Sequence, residues 1–210
     1  MPTIAALPGF VVAALILLLI PGPNVLYIVA RSVSQGHRAG LISVLGLSAG
    51  VLVHIAAAAA GISAVLLASA TAFGFVKTLG AGYLIYLGIR TLLTRPPMAS
   101  VVATPQRSFH RLFTDGVLVS VFNPKIAVFF LAFLPQFVQP SRGPIPQQIL
   151  LLGLIYVFLA LVTDSGYALL ASHLRHWLGG QVMRGPLPQY VSGSLYVGLG
   201  VSTALIGRRH

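Results

Sequence analysis

The chain has 210 residues, of which 57% are hydrophobic and only 7% are charged. A soluble domain carries about a quarter charged residues because its surface faces water, so this composition excludes an ordinary soluble protein. Thirteen Lys and Arg oppose two acids, and they stand singly between long apolar stretches, which is typical of membrane-protein loops rather than of a nucleic-acid-binding surface. Cysteine is absent, which excludes disulfides and thiolate metal sites. We therefore predict an integral membrane protein whose partner is the lipid bilayer and not a nucleic acid.

Six apolar stretches are long enough, at about 20 residues each, to cross a bilayer as helices. They run over residues 4–30, 41–67, 73–93, 113–134, 149–171 and 190–206. The first stretch is expected to be retained as a span, because no basic residue precedes it and no small-residue cleavage site follows it. These stretches predict an all-α integral membrane fold with six transmembrane helices.

A polar, proline-containing stretch over residues 95–111 divides the chain into halves, 1–94 and 112–210, with three spans each. Since an odd number of spans turns the second half over, this is the arrangement of an inverted repeat. Two internal matches favour it: residues 87–91 match 199–203, and two spans are interrupted at corresponding positions, the first by Pro21-Gly22-Pro23-Asn24 and the fourth by Asn123-Pro124-Lys125. We predict one membrane transport domain, 1–210, with broken first and fourth helices.

The distribution of Lys and Arg predicts the orientation of the chain. The first, third and fifth loops share eight cations: Arg31, Arg38, Arg90, Arg95, Arg107, Arg111, Arg175 and Arg184. The opposite side has four: Lys77, Arg142, Arg208 and Arg209. This excess places the odd-numbered loops in the cytoplasm and both termini in the periplasm.

The two proline breaks are the strongest indication of a site. Proline lacks a backbone N–H and so leaves the carbonyl one turn earlier without its partner, and in lipid such groups must be satisfied by protein, water or substrate. A half-helix N-terminus attracts a carboxylate, and Asn24 is expected to cap the second half-helix. Two breaks at corresponding positions favour a substrate site over a plain kink, so the predicted substrate-binding residues are Pro21, Gly22, Pro23, Asn24, Asn123, Pro124 and Lys125.

Two charged side chains fall inside predicted spans, Lys125 in the fourth and Asp164 in the fifth. Such groups are costly in a membrane and are normally paired or face a cavity. Lys125 is predicted to bind a substrate carboxylate or to neutralise Asp164. Asp164 is predicted to carry a proton, to bind a substrate ammonium, or to form a structural pair.

His54 follows Gly46 and Gly50 at four-residue spacing, so the three share one face of the second span. The glycines admit close helix approach, within one chain or in a homo-oligomer. His54 is expected to hydrogen-bond across that contact, or to relay protons as the rival of Asp164. Asp115 lies at the start of the fourth span, where stabilisation of the helix end explains it, so it is assigned no function.

Several motifs resemble the LysE/RhtB family of amino-acid exporters. They comprise residues 19–24 and 36–41, the Gly46, Gly50 and His54 face, residues 77–84 and 87–88, and most strongly Asn123-Pro124-Lys125 with residues 129–137. The resemblance implies a carrier in the bacterial inner membrane that exports amino acids or close derivatives by proton antiport. The fifth and sixth spans match only in apolar character, so the roles suggested for Asp164 come from the physical argument alone.

Other functions fit the sequence less well. A metal-ion exporter would have few ligands, because the chain has two acids and no cysteine. An intramembrane hydrolase lacks HExxH and GxSxG motifs, and no P-loop pattern for ATP is present. A membrane scaffold gives no reason for paired proline breaks. We therefore predict a transporter that is not an enzyme and uses no cofactor or metal.

Overall fold

The computed structural model describes residues 7–68 and 106–173, with five isolated helical residues between them: Gly82, Ile85, Tyr86, Ile89 and Leu93. The six α-helices of the two described ranges are α1 (Leu7–Leu19), α2 (Pro23–Gln35), α3 (His37–Ala68), α4 (Phe109–Val121), α5 (Pro124–Val128) and α6 (Ile145–His173). A π turn over Phe129–Phe133 continues α5, and 3-10 turns over Leu134–Phe137 and Pro140–Arg142 lead to α6. The predicted sixth span and most of the third span lie outside the described residues, and so does nearly all of the match between residues 87–91 and 199–203. The cations at 77, 90, 95, 175, 184, 208 and 209 lie outside them as well.

Four of the predicted spans fall within the described residues. Helix α6 and the His37–Gly61 part of α3 are each long and apolar enough to cross a membrane. Helices α1 and α2 meet at a bend of 52°, and α4 meets the Pro124–Phe137 segment at 48°. The breaks predicted in the first and fourth spans are thereby confirmed, and the described residues provide four spans if each bent pair crosses once. The arrangement of six helices in two inverted halves stays a prediction.

Helices α3 and α4 pack closely through glycines. A Cβ added to Gly46 would collide with the carbonyl oxygen of Phe113, and one added to Gly50 would lie 2.7 Å from the carbonyl oxygen of Val117. Gly116 has the same role in α4, because a Cβ added there would come too close to the backbone of α3. The close approach expected at these glycines is confirmed, and it occurs within one chain.

A large cluster of buried apolar residues includes the end of α1, where the first break begins. Phe10 of α1 and Phe129 and Phe130 after α5 are buried together with Tyr156 of α6. The ring centroids of Phe129 and Tyr156 lie 4.9 Å apart, and those of Phe130 and Tyr156 lie 5.2 Å apart. Aromatic packing at these distances fixes the position of the segment after α5 against α6.

A second, smaller apolar cluster is formed by Ile28, Val44, Leu47 and Ala168. Asp164 lies one helical turn after Ala160 of the first cluster and one turn before Ala168 of the second. Asn24 likewise follows Ile20 of the first cluster by four residues. Asn24 and Asp164 therefore each lie, along the chain, between residues of the first apolar cluster and residues of the second.

The outer face of α6 is apolar and exposed. Phe158 is 65% exposed and Val162 is 58% exposed, and Leu150, Leu154 and Leu169 are also exposed. Large apolar side chains on one exposed helix face are expected where that face contacts lipid rather than water. Helix α6 thus presents its lipid-facing side opposite Asp164, which is buried.

Candidate functional site

The two helix breaks meet inside the protein. The Asn123 side-chain amide donates a hydrogen bond from Nδ2 to Oδ1 of Asn24 at 2.8 Å, and both side chains are buried. Asn24 follows the break between α1 and α2, and Asn123 lies in the break between α4 and α5. The structure therefore brings together the residues that the sequence predicted for one site from the two halves of the chain.

The two half-helices that begin at the breaks are capped differently. Asn123 is the N-cap of α5, and its Oδ1 accepts from the backbone N–H of Lys125 at 3.0 Å. The N-cap of α2 is Gly22, which provides no side-chain acceptor. The expectation that Asn24 caps α2 is wrong, because Asn24 lies past the cap and its side chain accepts from Asn123 instead. The first N–H groups of α2 are left without a capping side chain and keep their capacity to bind an anion.

Lys125 is buried and caps the C-terminal end of α1. Its Nζ donates to the carbonyl oxygens of Leu17 and Ile20, both at 2.9 Å. In a continuous helix the Leu17 carbonyl would accept the N–H of residue 21, which Pro21 lacks. The ammonium also lies at the end of α1 that carries partial negative charge. Two of its three N–H donors are thus committed to the break, and one is left for another partner.

Asp164 is a buried carboxylate that makes no direct polar contact within the described residues. It is 4% exposed, and the described residues provide it with neither a hydrogen bond nor an ion pair. The ion pair found within 4.0 Å in the described ranges joins Arg107 to Asp115, so Lys125 and Asp164 are not in direct contact. The charge of Lys125 still acts on Asp164, so the suggested pair is an electrostatic interaction over a longer distance and not a salt bridge. A buried carboxylate without a direct partner is costly when ionised, which favours a role in binding a proton or a cation.

Tyr167, on α6, was not singled out from the sequence. Its hydroxyl donates to the carbonyl oxygen of Leu19 at 3.0 Å. This is the carbonyl that Pro23 leaves without an N–H partner. The one signal in the sequence is spacing, since Tyr167 follows Asp164 by three residues and so lies near it on the helix.

His54 is held across the contact between α3 and α4. Its Nε2 lies 3.1 Å from the carbonyl oxygen of Ser120, which also accepts the N–H of Asn123 at 3.0 Å. A carbonyl oxygen only accepts, so Nε2 carries the hydrogen. Ser120 is four residues before Pro124, and its carbonyl is therefore the one that this proline frees. The hydrogen bond expected across the helix contact is confirmed, and the relay of protons by His54 stays a prediction.

Arg31 occupies a different place from the one expected. The sequence assigned it to the first loop, but it lies within α2 and its side chain is buried. Its guanidinium carbon lies 5.5 Å from the centroid of the Tyr27 ring, and its Nη1 has no hydrogen-bond partner within the described residues. The connection between α2 and α3 is reduced to Gly36, whose φ of 85° is accessible to glycine.

The end of α2 is tied to the segment before α4. The Gln35 side chain donates to the Arg107 carbonyl at 3.0 Å and accepts the Arg107 N–H at 3.1 Å. The Arg107 side chain in turn pairs with Asp115 at 2.8 Å. This ion pair, rather than stabilisation of the helix end alone, explains Asp115. The contact also shows that the first and third predicted loops lie on the same side of the helices.

Comparisons with known proteins cover almost the whole chain. A family model described as LysE type translocator matches residues 15–207. The chain is 31% identical to the homoserine/homoserine lactone efflux protein of Salmonella typhimurium, over 93% of this chain and 94% of that protein. It is 25% identical to the leucine efflux protein of Salmonella choleraesuis, over 94% and 93%. It is 32% identical to an uncharacterized membrane protein of Vibrio cholerae, over 93% and 95%. No solved structure matches the chain.

Proposed function

We propose, since the chain belongs to the LysE type translocator family, that it exports a small amino acid or a close derivative across the bacterial inner membrane in exchange for a proton. Membership of this family makes the chain a membrane transporter and not an enzyme. The relatives named for homoserine and leucine efflux support an amino acid as the substrate. The observation that carries the proposal is the meeting of the two breaks at the Asn24–Asn123 hydrogen bond.

The substrate site is proposed to lie at this meeting point. The N-terminus of α2 supplies unpaired N–H groups and partial positive charge for the substrate carboxylate. A Cβ built on Gly22 would lie 3.4 Å from Nζ of Lys125. The Lys125 ammonium and the N-terminus of α2 are therefore close enough to contact the same substrate carboxylate. The proposed substrate-binding residues are Pro21, Gly22, Pro23, Asn24, Asn123, Pro124 and Lys125.

Proton coupling is proposed to use Asp164, with His54 as the rival carrier. The lack of a hydrogen bond or salt bridge to Asp164 in the described part of the chain supports its choice, because its carboxyl can gain or lose a proton without breaking a direct contact. His54 is already committed to the Ser120 carbonyl and lies parallel to the Phe130 ring, with centroids 6.3 Å apart. Rocking of the two halves around the breaks would expose the site to each side of the membrane in turn.

Transport by the purified chain tests this function. Proteoliposomes with an acidic lumen are expected to accumulate labelled homoserine or leucine by about tenfold for a gradient of one pH unit, if one proton exchanges for one substrate. Collapse of the gradient with a protonophore should abolish the accumulation, and protein-free liposomes serve as the control. Failure to move any substrate in a panel of the twenty amino acids, homoserine and homoserine lactone would contradict the proposal.

The orientation is tested by reporters fused to the full chain. We expect a reporter that is active only in the periplasm to function after His210, because the cations of the odd-numbered loops favour the cytoplasm. For comparison, a second reporter is inserted after Arg107, because the contact with Gln35 places Arg107 on the same side of the helices as the first loop. That insertion should be active with a cytoplasmic reporter. The reverse pattern at both sites would invert the topology.

A further inference from the structure

Every proline at the two breaks has a side-chain donor from a distant part of the chain at the carbonyl it frees. In a helix each N–H bonds the carbonyl four residues earlier, so the three prolines leave three carbonyls without their usual partner. Each of these carbonyls accepts from a side chain on another helix, at 2.9 to 3.1 Å. The sets of proline, carbonyl and donor are Pro21, Leu17 and Lys125; Pro23, Leu19 and Tyr167; and Pro124, Ser120 and His54.

We propose that Lys125, Tyr167 and His54 are positioning residues that hold the two breaks in their bent form by replacing the N–H groups that the prolines lack. Each donates to a backbone carbonyl that lacks its usual helical partner in a medium without water, and the Ser120 carbonyl accepts the N–H of Asn123 in addition. The carbonyls of Leu17, Leu19 and Ser120 each stand four residues before a proline. Lys125 donates in addition to the Ile20 carbonyl, which lies in the first break but does not precede a proline by four residues. The capping follows from the geometry alone, and only its relevance to transport rests on the proposed function.

The two halves of the chain stabilise each other's breaks. Lys125 belongs to the second half and caps the break of the first half, at a sequence separation of 108 residues. His54 belongs to the first half and caps the break of the second half, at a separation of 66 residues. The Asn24–Asn123 hydrogen bond joins the same two places directly. A movement of one half against the other therefore acts on both breaks together.

Double-mutant cycles test the pairing of each donor with its proline. Replacing the proline by Ala restores an N–H to the backbone, so the matched donor becomes less important. We expect Lys125→Met, Tyr167→Phe and His54→Leu, none of which keeps a side-chain donor, each to lower the melting temperature of the purified full chain in detergent. In the matched backgrounds, Pro21→Ala, Pro23→Ala and Pro124→Ala respectively, each loss should shrink to about half or less.

Mismatched pairs are the control for these cycles. His54→Leu with Pro23→Ala, and Tyr167→Phe with Pro124→Ala, should change the melting temperature additively, because donor and proline serve different carbonyls. If Lys125→Met does not yield folded protein, the Tyr167 cycle stays measurable, since Tyr167→Phe removes a single oxygen atom. Equal coupling in matched and mismatched pairs would overturn the capping.

A transport measurement separates positioning from plain stability. Tyr167→Phe is expected to raise the KM for homoserine in counterflow by about tenfold at an unchanged amount of inserted protein, because the first break shifts. Thr163→Val is the matched control: the Thr163 hydroxyl donates to the Leu159 carbonyl at 2.9 Å within α6, away from the breaks, and its loss should leave KM unchanged. If the matched double mutants are coupled but Tyr167→Phe leaves KM unchanged, the capping stands and the proposed substrate site is overturned. If the matched double mutants are additive, the capping itself is overturned.

Discussion

Vesicles that contain the Asp164→Asn variant are expected to exchange homoserine across the membrane but not to accumulate it when a pH gradient is imposed. The amide resembles the protonated carboxyl in shape but has no proton to release at this position. Since Asp164 is buried and makes no direct contact with a cation among the described residues, its replacement by Asn breaks no salt bridge and removes only the longer-range attraction to Lys125. The accumulation of about tenfold per pH unit should fall to the level of simple equilibration, while counterflow persists.

The chain supplies its own control, because its two acids are Asp115 and Asp164. Asp115→Asn removes a partly exposed ion pair with Arg107 and should leave accumulation unchanged, since such pairs contribute little. His54→Gln tests the rival carrier. Full accumulation by Asp164→Asn together with its loss in His54→Gln would assign the proton to His54. Loss of counterflow as well in Asp164→Asn would instead assign Asp164 to the binding of the substrate ammonium.

Gly46→Ala is expected to destabilise the folded protein strongly. A Cβ at this position would overlap the Phe113 carbonyl oxygen, so α3 and α4 would have to move apart along their contact. Inserting atoms into a packed contact typically costs about 1–3 kcal/mol. At about 2–4 °C per kcal/mol for a chain of this size, the melting temperature in detergent should fall by about 2–12 °C.

Gly61→Ala is the matched control for this experiment. Gly61 lies in the same helix, and a Cβ there would have nothing within 4 Å. Glycine in a helix interior is destabilising by about 0.5–1 kcal/mol relative to alanine, so this variant should be as stable as the parent or more so. A Gly46→Ala protein that melts with the parent would show that α3 and α4 are not in close contact.

Sequence patterns predicted the features that depend on local chemistry. Apolar length indicated spans, glycine spacing indicated the contact between α3 and α4, and proline marked the two bends. Asp164 was expected to avoid lipid because a charge inside a span is costly, and it is buried together with Ala160 and Ala168 on the same helix face. These features are visible in sequence because each is determined within one or two helical turns.

The partners of the polar side chains could not be predicted in this way. The contacts of Lys125 with the carbonyls of Leu17 and Ile20 were not predicted, because backbone carbonyls have no signature in a sequence. Tyr167 was missed for the same reason. The expected Asn24 cap was wrong because the competing contact, Asn123, lies 99 residues away and depends on how the two halves meet.

The capping of the first break also orders the assembly of the protein in time. The Leu17 carbonyl leaves the ribosome 108 residues before the lysine that caps it, which at about 5–20 residues per second corresponds to roughly 5–22 s. During this interval the carbonyl depends on water or on the insertion machinery, because a bare polar group is not stable in hydrocarbon. The bend between α1 and α2 can therefore reach its final geometry only after α5 has been synthesised and packed against it.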